Sequence, residues 1–145
     1  MFRYRLERVL ALREQELEKV KVEFQEATAA VKDCEKKIHL NQNQQKRLQT
    51  EMRESFTKIS PRLYLNRINH LKEALEKLEL TLLRLRENQA YIREKMIETQ
   101  RKTEILKRHK DKQKQRYDDE ERRKEEISLN ELALTMRRIK NERDY

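Results

Sequence analysis

Glycine and tryptophan are absent from this sequence, and proline and cysteine occur once each. Each gap removes a class of protein. Without glycine there is no phosphate-cradling loop of the nucleotide-binding kind, whose backbone must approach its ligand closely. Cys34, alone, can form no intramolecular disulfide and suits a reducing compartment. No stretch approaches the roughly 18 apolar residues of a membrane-spanning helix, and the first residues lack the apolar centre of a signal peptide; a soluble, unprocessed protein is expected. His39, His70 and His109 are far apart and have no partner at metal-ligand spacing. Glu and Lys abound, but exposed helices offer nothing to desolvate them, so no shifted acid or base is expected. The expectation is a protein that is not an enzyme and takes neither a cofactor nor a small-molecule ligand.

What the chain does contain is charge and helical periodicity. Of its 145 residues 43% are charged and 35% hydrophobic, the composition of a coiled coil or long helix rather than of a compact core. No composition shift marks a second domain, so residues 1–145 read as one. Pro61 is the hard interruption. Ser60 fits an N-cap and Pro61 a first helical position, while the residue before a proline is pushed out of the α region. The preceding helix should therefore end near Lys58 or Ile59.

Helix one, about 2–58, fits a heptad register. Its a positions are Arg3, Leu10, Leu17, Phe24, Val31, Ile38, Gln45, Met52 and Ile59; its d positions are Leu6, Arg13, Val20, Ala27, Cys34, Asn41, Leu48 and Ser55. Twelve of these seventeen are apolar, which calls for a partner helix. The run Asn41–Gln45 is the soft spot, either a polar layer that fixes register or a local loosening. Helix two, about 61–126, repeats Tyr64, Ile68, Leu71, Leu75, Leu78, Leu82, Leu85, Gln89, Ile92, Met96, Thr99, Thr103 and Leu106. The fold class expected is all-α, an antiparallel two-helix coiled-coil hairpin reversing near Ser60–Pro61, with the second helix longer than the first.

Past Leu106 the repeat keeps a single apolar member, Tyr117. The extrapolated positions Lys110, Gln113, Tyr117, Glu120 and Lys124 face the most apolar end of helix one, so Phe2, Leu6, Val9, Leu10 and Leu17 are expected to lack cover within the hairpin. An amphipathic extension, 127–141, follows with Leu129, Leu132, Met136 and Ile139 on one face. Ser128 and Glu131 form a capping box that permits a break there. The extension either continues as helix or turns back over the N-terminal stripe. Charge is uneven as well. Residues 101–116 carry eight Lys/Arg (Arg101, Lys102, Lys107, Arg108, Lys110, Lys112, Lys114, Arg116) against two acids, most of the formal net charge of +9. This is a docking patch for an acidic surface, or a solvated helix with i, i+4 pairs. A nucleic-acid-binding helix would interleave aromatics with the basic run and carry a recognition motif; this one does neither, and no nucleic-acid partner is expected.

Both ends of the chain resemble the FliJ family of flagellar export proteins. The opening Phe2-x-Tyr4-x-Leu6-x-x-Val9-Leu10-x-Leu12-Arg13, followed by Glu14, is similar to that family's N-terminal signature. Leu129-Asn130-Glu131-Leu132-Ala133 is similar to its Leu-Asp-Glu-Leu-Ala box, with Asn130 in place of the acid. The resemblance implies a hairpin like the central stalk of rotary ATPases, cytoplasmic and peripheral at the inner membrane. It implies as partners a hexameric export ATPase, the membrane export gate and substrate chaperones, in a motility apparatus. Joined to the apolar imbalance, it makes Phe2, Leu6, Val9, Leu10, Arg13, Leu129, Leu132 and Met136 the expected ATPase-facing surface, steered by the basic residues of 101–116. Leu80 and Leu83, outside the a and d positions, are the expected gate contact, or else a broadened core stripe. The injectisome counterpart and a generic cytoplasmic coiled-coil tether are the alternatives.

Overall fold

The computed structural model describes residues 1–54 and 60–143. Among these residues there are two α-helices and no strand: α1, Glu7–Glu54, of 48 residues, and α2, Pro61–Arg143, of 83. Leu, Glu, Lys, Arg and Gln supply strong helix propensity throughout, and no glycine weakens either element. Pro61 opens α2, where its missing N–H forfeits no helical bond, and the Ser60 carbonyl accepts the Leu63 N–H at 3.1 Å. The expected end of helix one at Lys58 or Ile59 lies outside the described residues. The two helices pair antiparallel as a coiled-coil hairpin, and α2 is the longer, as the heptads require.

The chain forms two compact units, one of Glu16–Thr99 and the other of Met1–Gln15 with Gln100–Tyr145. In the first, Leu17, Val20, Ala27, Val31 and Cys34 of α1 and Tyr64 and Ile68 of α2 are buried, all at positions of the expected repeats. Leu71, Leu75, Leu78, Leu82 and Leu85 are half-buried against them. Cys34 directs its Sγ at the Leu78 carbonyl, 3.5 Å away.

The amide run does not break α1. Asn41 is buried, its Nδ2 donates to the Leu71 carbonyl at 2.9 Å, and its Oδ1 accepts from Gln45 Nε2 at 2.7 Å. It is a polar layer: a buried amide with its partners in place holds one register, since a slip of the helices would strand donor and acceptor away from water. Gln89 Nε2 does the same against Thr28 Oγ1 at 3.1 Å.

In the second unit α1 starts at Glu7 rather than near Phe2. The Glu7 N–H donates to the Tyr4 carbonyl at 3.2 Å and the Leu10 N–H to the Leu6 carbonyl at 2.9 Å, closing a turn at the helix entry. The residues before it give up helical bonds so that the rings of Phe2 and Tyr4 can lie against α2. Of the two courses open to the extension, the first is taken: α2 runs unbroken through Ser128 to Arg143. Ser128 is an interior helical residue there, and the capping box starts no new helix.

Asn41→Asp puts an acceptor where the Leu71 carbonyl needs a donor. It should cost about 1–3 kcal/mol in urea unfolding followed by far-UV circular dichroism. Recovery is expected in acid, where the protonated carboxyl can donate again.

Candidate docking surface

The N-terminal end of the hairpin is closed by polar and aromatic groups in place of aliphatic ones. Tyr4 is buried, with its hydroxyl 2.6 Å from His109 Nδ1, and the two rings are 5.5 Å apart. The Leu106 carbonyl lies 3.5 Å from the same hydroxyl. Phe2 packs on Tyr117 with centroids 5.6 Å apart, and the Met1 amine donates to the Tyr117 hydroxyl at 2.8 Å. Thr103, 1% exposed, turns its Oγ1 to the Arg13 carbonyl at 3.5 Å. Lys110 sets its Nζ 2.9 Å from Glu7, and Lys107 is 3.9 Å from Glu14. The hydrogen bond to Glu7 raises the Lys110 pKa above the ordinary lysine value, against a smaller opposing effect of desolvation.

This corrects the expectation that the apolar residues of the first turns lack cover. Leu10 is 4% exposed, and Phe2, Leu6 and Arg13 are half-buried; of the expected docking residues in this stretch only Val9 is exposed. Leu17, expected to lack cover too, is buried in the core of Glu16–Thr99. The reason is chemical. Lys110 and Gln113 supply no aliphatic cover, but the imidazole of His109, the hydroxyl of Thr103 and the ring of Tyr117 cover the stripe with hydrogen bonds of their own. His109 lies outside the heptad positions, and nothing in its spacing points to Tyr4. Thr103 falls within the repeat, which carries no sign of its contact with Arg13.

The open apolar surface lies at the other end of α2. Leu129, Leu132, Met136 and Ile139 are all exposed, Leu132 at 55%, and so is every residue of 122–143. Their spacings of three, four and three hold them to one face. Three of the eight expected docking residues (Leu129, Leu132, Met136) therefore share an uncovered stripe, while Phe2 is engaged by Tyr117.

The basic run is divided in the same way. Lys107 and Lys110 are drawn into ion pairs with α1, whereas Arg101, Arg108, Lys112, Lys114 and Arg116 are exposed and have no ion pair among the described residues. Lys102 is exposed as well. In the unit Glu16–Thr99, Leu80 and Leu83 are 58% and 57% exposed, on the side of α2 away from its core positions. A broadened core stripe would have buried them. Among the described residues no group of three or more His, Cys, Asp or Glu side chains could hold a metal ion, and no helix is long and apolar enough to cross a membrane.

Compared with known proteins, residues 1–142 match the family model described as "Flagellar FliJ protein". No curated protein and no solved structure matches the chain.

The raised Lys110 pKa fixes a sign for the pH dependence of the closed N-terminal end. The stabilisation from its pairing with Glu7 is fully present below the unfolded lysine value of about 10.4 and is lost as pH rises through the higher folded value. Thermal midpoints should owe no slope to this pair between about pH 6 and 9. Lys110→Met should reduce the decline seen above the unfolded value.

Proposed function

Because the chain belongs to the FliJ family of flagellar proteins, we propose that it is a non-enzymatic, stalk-like part that docks on the hexameric export ATPase and couples it to the membrane export gate. Membership makes it a component of the flagellar export apparatus, and the match is to the flagellar family rather than to an injectisome counterpart. The observation that carries the docking is the bare stripe Leu129, Leu132 and Met136, which lies within the matched residues and which nothing among the described residues covers. Leu10 drops out of the docking surface because it is core, and Val9 stays at its edge.

The remaining features fit that reading. The free cations Arg101, Arg108, Lys112, Lys114 and Arg116 raise the encounter rate with an acidic ring surface, a long-range effect that salt screens. Leu80 and Leu83 are the gate contact, exposed as such a contact must be before binding. The protein works in the cytoplasm, peripheral to the inner membrane, where it also meets substrate chaperones.

Leu129→Asp with Leu132→Asp should lower co-purification of the export ATPase at least about tenfold, since each buried leucine contributes roughly 1.5–3 kcal/mol to a contact. Stimulation of ATP hydrolysis should fall with it, while the far-UV spectrum stays that of the parent because both residues are exposed. Undiminished ATPase capture by this variant would remove the stripe from the docking surface.

A further inference from the structure

We propose that the stripe on residues 127–143 also pairs with the same stripe of a second copy of this chain, antiparallel and about a two-fold axis. The inference rests on the geometry of α2 alone and stands whether or not the ATPase docks there.

Three observations point to a second copy as the occupant. First, the spacing is palindromic. Leu129, Leu132, Met136 and Ile139 follow one another at three, four and three residues, and Glu125 and Arg143 lie four residues beyond either end. A two-fold axis between the copies at residue 134 sets Leu129 on Ile139 and Leu132 on Met136, in alternating a and d layers, with each contact made twice.

Second, the charges are complementary in this antiparallel register and opposed in a parallel one. The same axis sets Glu125 against Arg143, and leaves Glu126, on the flank of the stripe, beside the flanking Lys140 of the other copy, two residues off direct register. A parallel pair would instead place Glu125 on Glu125 and Arg143 on Arg143, like charge on like. Exposed ion pairs add little affinity, so these four select orientation and register while the apolar layers hold the copies together.

Third, the groups involved are free. Neighbouring charges pair within the helix, Arg122 with Asp119 at 3.5 Å and Lys124 with Glu121 at 3.9 Å. Glu125, Glu126, Lys140 and Arg143 have no ion pair among the described residues, and all are exposed. The helix is continuous through the whole stripe, so the surface is formed before association.

The test is a pair of charge-reversed variants analysed by sedimentation equilibrium. The parent chain should show a concentration-dependent rise from 18.0 kDa toward twice that mass. Glu125→Arg with Glu126→Arg makes both ends of the stripe basic; Lys140→Glu with Arg143→Glu makes both acidic. Each variant alone should dimerise at least about tenfold more weakly, and an equimolar mixture should recover parental affinity because every reversed pair is then restored. A parent that stays monomeric up to about 200 µM overturns the proposal, since an interface of 10 µM affinity or better is saturated there. So does a mixture no tighter than its components, which would mean association without this register. Neither variant alters Leu129, Leu132 or Met136, so retained ATPase capture alongside lost dimerisation separates this inference from the proposed function.

Discussion

An apolar stripe on a helix has to be covered by another helix, and α1 supplies 48 residues of cover to an α2 of 83. Most of what the molecule offers to partners follows from that inequality. Where the helices face each other the stripe is consumed in a seam, around Tyr64 and Ile68 in one unit and around Thr103 in the other; where α1 has ended, Leu129, Leu132, Met136 and Ile139 stand in solvent. Shortening of loops or repacking of the core would not change this, because the excess is one of helix length.

Within the seam, polar groups set the register and apolar ones the affinity. Asn41, Thr28 and Gln89 are each satisfied across or along the seam, at distances between 2.7 and 3.1 Å. A sliding helix pair built only of leucines would find several alignments of similar energy; unsatisfied amides make the wrong ones costly. At the N-terminal end the division of labour is reversed. There Tyr4, His109, Thr103 and Lys110 do the covering, and the residues they protect include Leu10.

The sequence disclosed the parts of this architecture that depend on period and punctuation. Pro61 located the start of α2, and the heptads marked Leu17, Val20, Ala27, Val31, Cys34 and Ile68 as core. The bare stripe was readable as a face, though whether it continued as helix or folded back was not, since a capping box permits a break without requiring one. Illegible altogether was the closure by Tyr4 and His109. Their partnership depends on two side chains 105 residues apart meeting in space, and hydrophobic periodicity carries no information about a hydrogen bond between a phenol and an imidazole. The same blindness assigned Leu10 to a docking surface when it belongs to the core.

Cys34 shows what a lone thiol becomes once it is set into such a seam. The residue is 4% exposed and its sulfur is directed at the Leu78 carbonyl, so oxidants and alkylating reagents reach it only when the helices part around it. The rate of thiol modification is thereby tied to the breathing of the hairpin, and the molecule carries an internal clock for that motion at the centre of one of its own core layers.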